Sequence, residues 1–389
     1  MNVLHISNKP VFPQVDGGCI AIAKLLSSLT QLATVKHLYV HTPKHPVVPG
    51  NYPTNLIPEI PDEQTFIDTS VKPFSALKAL ISGKNYNLKR FHTKTFENAL
   101  LNYIRSQSFD TIVLESLFLA PYINAIRTVF VGKIIIRTHN VEHELWEQQA
   151  LSASGIKKWY LRSLAKSLKR EELALLNTAD AIWTITEEDA RQFKKLGIVT
   201  HIEVIPVGMH VVPLIESNKS GDFFHLGSMN WLPNQLAVKH LITELWPKIS
   251  LDKSKHRLHI AGSFAESVEK TEAPGIVYHG FVADAEAFMK THGILVAPIT
   301  TGSGVRIKLL EAMAFGVPCI TTPLGATGIR HEEGCLVIAS TDREWLEAMQ
   351  TLALSHEKRI QLGREAKRYM KKYHSFTVIN TQIQAALER

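Results

Sequence analysis

A glycine-rich loop and the helix predicted after it carry residue types that bind phosphorylated ligands. Residues 302–304, Gly-Ser-Gly, come directly before a helical pattern that ends at Gly316. Glycines before a helix let a ligand approach free backbone N–H groups, where the helix dipole favours an anion. The cations Arg306 and Lys308 follow the loop, and Glu311 lies one turn further on. Since a carboxylate accepts hydrogen bonds from hydroxyls, the block fits a nucleoside diphosphate joined to a sugar.

Each part of this block also has a plainer interpretation. A Gly-Ser-Gly loop before a helix is often a turn and cap without a ligand. Arg306 and Lys308 are two residues apart, so they do not share a helix face and one of them can simply be solvated. The spacing of the whole block is what favours a ligand site.

The second half of the block resembles a known signature. Residues 311–318, Glu-Ala-Met-Ala-Phe-Gly-Val-Pro, are similar to the signature of retaining glycosyltransferases of the GT-B fold, in particular glycosyltransferase family 4. That signature has one glutamate, seven residues, and a second glutamate. Glu311 matches the second glutamate, but Ser303 stands where the first would be. The resemblance implies an α/β GT-B fold, two Rossmann-like doubly wound domains facing a central cleft.

Length and composition agree with a two-domain cytoplasmic enzyme. A chain of 389 residues exceeds the usual limit for one core. The three cysteines lack metal-ligand spacing, and their odd count opposes a disulfide framework. The N-terminus is typical of a buried strand rather than a signal peptide, and no apolar run is long enough to span a membrane. The net charge of +7 suits an anionic donor or membrane surface and does not require nucleic acid.

Short apolar runs alternate with helical patterns, which is typical of parallel sheets covered by helices. The strands predicted in the first half are residues 3–6, 35–40, 111–115, 133–137, 181–185 and 203–206. Those in the second half are residues 223–226, 258–261, 275–279, 294–297, 318–321 and 336–338. We place an N-terminal acceptor-side domain at 1–206, a linker at 207–221 and a C-terminal donor-binding domain at 222–374. GT-B proteins often return a last helix, here 375–389, to the N-terminal domain.

Two motifs of the first half are expected near the substrate. Gly17 and Gly18 follow the first strand, where family members carry a glycine pair that approaches the donor sugar or acceptor. A plain turn is the alternative. His139 follows a strand, and the resemblance implies a place beside the donor sugar, against the alternative of a hydrogen-bonded structural histidine. His139 and His143 have helical spacing for a metal, but the HExxH order is absent and the resemblance implies no bound metal.

The chain departs from the family again at the first strand-to-helix turn of the second half. Many members have arginine directly after a glycine and lysine five residues later, and both hold the donor diphosphate. Here Ser228 and Pro233 follow Gly227 at those positions. We therefore expect Arg306 and Lys308 to supply the missing charge.

A further segment, residues 278–282, resembles the one whose backbone reads the nucleotide base, without distinguishing uracil from guanine. The residues predicted to be catalytic are His139, Arg306 and Lys308. The predicted donor-binding residues are Gly17, Gly18, Gly227, Ser228, Asn230, Gly262, His279, Gly280, Phe281, Val282, Gly302, Ser303, Gly304, Val305 and Glu311. No cofactor and no metal are expected.

Residues 156–177 form a basic helical pattern. A solvated face is the ordinary interpretation, and docking on anionic lipid headgroups on the inner face of the cell membrane is the functional one.

The resemblance implies a hexosyltransferase-type reaction. A sugar would pass with retention from a nucleoside diphosphate to a glycan, lipid-linked or small-molecule acceptor, in bacterial polysaccharide or glycoconjugate biosynthesis. The alternatives are an inactive nucleotide-sugar-binding subunit and a sugar-nucleotide epimerase of the same fold.

Overall fold

The computed structural model describes residues 1–48, 50, 52–56, 59–151, 153–212 and 220–389. The chain divides into two compact units. The N-terminal unit comprises Met1–Val207 with Ile379–Arg389, and the C-terminal unit comprises Gly208–Val378. Of the linker expected at 207–221, residues 213–219 lie outside the described residues.

The N-terminal unit contains a six-stranded parallel sheet in the order β2-β1-β3-β4-β5-β6. Its strands are β1 (Asn2–Ser7), β2 (Thr34–Tyr39), β3 (Thr111–Glu115), β4 (Lys133–Thr138), β5 (Ala181–Thr184) and β6 (His201–Val204). The strand order reverses between β1 and β3. Ligands of such sheets bind beyond the carboxyl ends of the strands at this reversal.

Helices cover both faces of this sheet. They are α1 (Gly17–Leu32), α2 (Asp62–Thr65), α3 (Pro73–Ile81), α4 (Tyr86–Phe91), α5 (Lys94–Ser106), α6 (Ile123–Ile126), α7 (Glu142–Leu151), α8 (Gly155–Leu176) and α9 (Glu187–Lys195). The Asp16 side chain caps α1 by accepting from the Cys19 N–H at 2.8 Å. The Thr186 hydroxyl caps α9 by accepting from the Asp189 N–H at 2.9 Å. The last helix of the chain packs Ile379, Ile383 and Leu387 into this unit's core.

The C-terminal unit holds a second six-stranded parallel sheet, in the order β12-β11-β10-β7-β8-β9. Its strands are β7 (Phe223–Leu226), β8 (Leu258–Ala261), β9 (Ile276–Gly280), β10 (Ile294–Ala297), β11 (Cys319–Thr321) and β12 (Val337–Ile338). Counted from β7, this is the 3-2-1-4-5-6 order of a dinucleotide-binding sheet, with its reversal between β7 and β10.

The remaining helices surround this second sheet and close the chain. They are α10 (Leu232–His240), α11 (Trp246–Lys248), α12 (Ala285–Thr291), α13 (Ile307–Phe315), α14 (Asp342–Leu354), α15 (His356–Tyr373) and α16 (Phe376–Glu388). A π-helical turn at Leu241–Leu245 joins α10 to α11. The left-handed Gly316 (φ 75°) ends α13, as expected of a glycine at this position.

All twelve predicted strands are present, with shifts of one or two residues at some ends, and the predicted α/β class is confirmed. Local sequence sufficed here because most of the strands are short apolar runs, and the central ones are buried on both faces. Among the residues that the structure describes, none of the helices has both the length and the apolarity needed to cross a membrane.

Two turns of the C-terminal unit touch through their backbones. Gly262 follows β8 with φ of 146°, and a Cβ placed on it would lie 1.7 Å from the Gly227 carbonyl oxygen. Gly262 therefore has both a glycine-only conformation and no room for a side chain.

We predict that Gly262→Ala lowers the free energy of unfolding by about 2–4 kcal/mol, because it adds a steric overlap to backbone strain. Gly280→Ala is the matched control, since Gly280 also has a positive φ (69°) but no described atom lies within 4 Å of the place its new methyl group would take. The control should lose about 1–2 kcal/mol. Urea unfolding of both variants measures the difference, and equal losses would contradict the steric argument.

Candidate active site

The carboxyl ends of β1, β3 and β4 bring four ionisable side chains of the N-terminal unit together. Glu115, which ends β3, is fully buried. Its carboxylate accepts from Arg137 Nη1 at 2.5 Å, from His5 Nε2 at 3.0 Å and from His139 Nε2. Burial alone would raise the pKa of Glu115, but the Arg137 charge and the histidine hydrogen bonds hold it well below its usual range. Glu115 is therefore a charged anchor for His139.

His139 is half-buried, with 21% of its side chain exposed. Its bond to Glu115 fixes one ring nitrogen and leaves the other edge for a ligand. His143, four residues later, pairs instead with Glu172 at 2.6 Å. The two histidines are thus held by different carboxylates, although their spacing in the sequence is that of a shared site.

Gly17 and Gly18 lie at the start of α1, beside a lysine that sequence reasoning missed. Lys9 Nζ donates to both carboxylate oxygens of Asp16, at 2.7 and 2.8 Å. A Cβ on Gly18 would lie 2.8 Å from that ammonium group. Burial opposes ionisation of Asp16, but the Lys9 charge lowers its pKa to about 2. Lys9 thus places a cation at the end of β1, where the sequence showed only an isolated basic residue in a loop.

In the C-terminal unit, Lys308 reaches back to the turn after β7. Its Nζ donates to Asn234 Oδ1 at 2.7 Å and to His225 Nε2 at 3.3 Å. A Cβ added to Gly227 would lie only 2.9 Å from this nitrogen. His225 Nδ1 donates to the Val296 carbonyl at 2.9 Å, so its Nε2 is free to accept. The ammonium group therefore lies at the strand-order reversal between β7 and β10.

The Lys308 ammonium is held by neutral acceptors. Burial, with a smaller contribution from the Arg306 charge, lowers the pKa of Lys308 to about 7. Burial and the nearby lysine lower the pKa of His225 to about 3, so this imidazole is neutral. Together, Lys308, His225, Asn234 and Gly227 form the Lys308 pocket. Among the described residues no carboxylate pairs with Lys308, and an anion bound there would supply the missing negative charge.

A hydrogen-bonded chain extends from this pocket through the predicted turn residues. The Asn234 amide donates to the Ser228 carbonyl at 2.8 Å, and Ser228 Oγ donates to Asn230 Oδ1 at 2.8 Å. Ser263, next to Gly262, donates to Ser228 Oγ at 2.8 Å. The structure brings together Gly227, Ser228, Asn230 and Gly262, four of the predicted donor-binding residues, and adds His225 and Asn234; their role in binding stays a prediction. A histidine inside an apolar strand was the available signal for His225.

Arg306 is turned toward its own loop. It is the N-cap residue of α13, is 4% exposed, and donates to the Ser303 and Thr301 carbonyls at 2.6 and 3.3 Å. Its guanidinium group lies 5.1 Å from the centre of the Trp231 ring. Gly302 and Gly304 have φ of 88° and 78°, conformations that favour glycine. Arg306 thus shapes the 301–304 loop, and Lys308 is the cation at the turn.

The remaining predicted residues surround this loop or the end of β9. Val305, just before α13, and Glu311, within α13, are both half-buried. Gly280 has a positive φ, Val282 is half-buried, and Phe281 is 74% exposed. The His279 ring packs against other histidines and Phe288. Its predicted contribution through the backbone stays a prediction.

Residues 221–355 match the family model described as "Glycosyl transferases group 1". The matched segment contains the Lys308 pocket and the 301–304 loop. At the level of sequence, no curated protein matches this chain.

Solved structures resemble the whole chain. A sucrose-phosphate synthase from Thermosynechococcus elongatus has a TM-score of 0.69 at 13% identity, covering 100% of this chain and 98% of that one. The UDP-forming α,α-trehalose-phosphate synthase from Burkholderia xenovorans, in complex with glucose-6-phosphate, gives 0.67 at 10% identity and covers 100% of both chains. A trehalose-6-phosphate synthase described for glycosyl transfer with retention gives 0.59 at 13% identity, covering 99% and 98%.

Identities this low show the fold, and the family match shows the class of reaction. Each of the chain's two α/β units contains a parallel sheet, and residues 221–355 match group 1 glycosyltransferases: the chain is a glycosyltransferase of the GT-B fold.

Proposed function

We propose that this glycosyltransferase transfers a sugar, with retention, from a nucleoside diphosphate to a glycan, lipid-linked or small-molecule acceptor in bacterial polysaccharide or glycoconjugate biosynthesis. The Lys308 pocket carries the donor part of this proposal. It puts a cation, whose hydrogen-bond partners are neutral, at the strand-order reversal of a sheet with dinucleotide-binding order. Retention is supported by the family 4-like signature and by the retaining trehalose-6-phosphate synthase of the same fold.

Lys308 is proposed to replace the arginine and lysine that relatives carry after this glycine. Its charge would bind the diphosphate and stabilise the negative charge that grows there as the sugar leaves. The backbone N–H groups of residues 303–305 are proposed to add their dipoles to the binding of the diphosphate. Arg306 holds the 301–304 loop in shape through its hydrogen bonds to two carbonyls. Glu311 is assigned to the ribose hydroxyls, and the backbone of 278–282 to the base. No metal is required at the diphosphate in this scheme.

In the N-terminal unit, His139 is proposed to contact the reacting sugar or its acceptor, and Gly17 and Gly18 to leave room for it. Glu115 is a positioning residue, since it acts through the His139 ring. The chemistry then depends on positioning and electrostatic stabilisation by the protein.

Nucleotide binding is the first test. UDP, GDP and ADP are added separately to the full chain without metal, and the melting temperature is recorded. We expect one of them to raise it, with UDP tested first because a structural neighbour is UDP-forming. No rise with any nucleotide at millimolar concentration would refute the donor pocket.

We predict that Lys308→Met weakens binding of that nucleotide at least tenfold without lowering the melting temperature. The pKa of Lys308 falls from 10.5 in the unfolded chain to about 7 in the folded one. The group therefore costs stability increasingly as the pH falls below 10.5 and in full below about 7, and methionine removes the cost. Lys239→Met, at an exposed position on α10, is the control and should bind normally. Unchanged affinity in Lys308→Met would rule out this lysine as the diphosphate ligand.

The same lysine predicts a pH dependence. Because Lys308 is charged below a pKa of about 7, nucleotide affinity should increase as the pH falls from about 9 to about 6.5. The increase should be absent in Lys308→Met. Isothermal titration calorimetry across this range measures both, and an identical pH profile in the two proteins would contradict the assignment.

We predict that His139→Gln lowers kcat on the order of 10²-fold while nucleotide affinity is kept, since its role is limited to the reacting end of the donor. Release of the nucleoside diphosphate from its sugar conjugate provides the assay. His201→Gln, a surface histidine paired with Glu203, is the control. Full turnover in His139→Gln would show that the Glu115-bound histidine is structural.

A further inference from the structure

Three histidines of the C-terminal unit converge on one point. His259 lies in β8, His279 lies in β9, and His292 lies between α12 and β10. One ring nitrogen from each lies within 4.8 Å of one from each of the others. In a tetrahedral zinc site with Zn–N bonds of about 2.0–2.1 Å, neighbouring nitrogens are about 3.4 Å apart. Small side-chain rotations therefore bring the three nitrogens to bonding distance of a single ion.

The orientation of His292 is already that of a ligand. Its Nδ1 lies 2.8 Å from the Phe288 carbonyl oxygen, which can only accept, so Nδ1 carries the proton. The lone pair of the neutral ring is consequently on Nε2. Metal-bound histidines usually donate their other N–H to such a carbonyl or to a carboxylate.

His259 lies close to the second of these arrangements, with a carboxylate near one ring nitrogen. It is 6% exposed, and its buried Nε2 has no hydrogen-bond partner among the described residues but lies 3.6 Å from Asp222 Oδ2. Asp222 Oδ1 is fixed by the Arg257 backbone N–H at 2.8 Å. A proton on Nε2 would point toward Asp222 and leave His259 Nδ1 as the ligand atom. In the structure that Nδ1 shares a hydrogen bond with His279 Nε2 at 2.8 Å, which a bound ion would replace.

Neighbouring aromatic rings pack against two of the three histidines. Phe288 stacks on His292 with ring centres 4.1 Å apart and meets His279 edge-on at 5.1 Å. Burial, with repulsion from the neighbouring rings, lowers the pKa of His279 and of His292. Imidazole nitrogens suit zinc and similar transition ions, whereas magnesium and calcium prefer oxygen.

We propose that His259, His279 and His292, oriented by Asp222 and the Phe288 carbonyl, form a binding site for a zinc-type transition-metal ion. The fourth ligand would be water, since His279 is exposed to solvent. This site has no part in the chemistry proposed above. It joins the edge strand β9 to β8 and to the end of α12. His279 lies within residues 278–282, so a bound ion would also steady the segment assigned to the nucleotide base.

The test uses the full chain without a polyhistidine tag. Zinc binding is measured by calorimetry, and cobalt binding by the intense visible absorption of four-coordinate Co²⁺ with nitrogen ligands. We expect one ion per chain, no competition from Mg²⁺, and a melting temperature that rises with zinc. Asp222→Asn, which keeps an oxygen for the Arg257 N–H, should weaken binding about 10–100-fold.

The double variant His259→Gln/His292→Gln should lose the ion and the cobalt spectrum, whereas the exposed His356→Gln should keep both. Circular dichroism and nucleotide binding in the absence of metal show whether the variants are folded, so a failed metal site is separable from a failed donor site. The proposal would be overturned if the double variant bound zinc as tightly as the wild type does.

Discussion

The contact between the backbones of Gly227 and Gly262 determines the geometry of the candidate donor site. Because neither turn has a side chain there, the ends of β7 and β8 approach closely, and Ser263 reaches Ser228. The space beside Gly227 is then filled from the other side of the strand-order reversal, by the Lys308 ammonium group. The hydrogen bonds of Asn234 hold this group and the turn together. A larger residue at either glycine would separate these parts.

The two units use charge in opposite ways. In the N-terminal unit, the buried carboxylate of Glu115 is fully compensated by Arg137 and two histidines. Such a network orients its members and leaves the outer edge of the His139 ring for a ligand. In the C-terminal unit, Lys308 has neutral acceptors, and among the described residues no carboxylate pairs with it. A buried cation without an anion costs stability, which an anionic ligand restores on binding.

Departures from the family 4-like signature acquire a structural explanation. Ser303 stands in place of the first glutamate, and its carbonyl accepts from Arg306, which therefore serves the loop. Ser228 and Pro233 replace the usual basic residues. A lysine that comes 75 residues after Pro233 in the numbering, and from a different helix, brings its charge to the same turn. The match to group 1 glycosyltransferases is thus compatible with a different source of the diphosphate-binding charge.

The sequence by itself determined the twelve strands, the glycine turns and the helix after the 302–304 loop, because apolar runs, glycines and caps act over a few residues. Only the structure showed that Arg306 lies outside this helix, as its N-cap. The sequence also identified Lys308 and His139 as candidate catalytic residues. It did not determine their partners. His225 and Lys308 are 83 residues apart, His139 and Glu115 are 24 apart, and His259 and His279 are 20 apart on neighbouring strands. Strand order and side-chain direction decide which groups meet, and neither is encoded in local pattern.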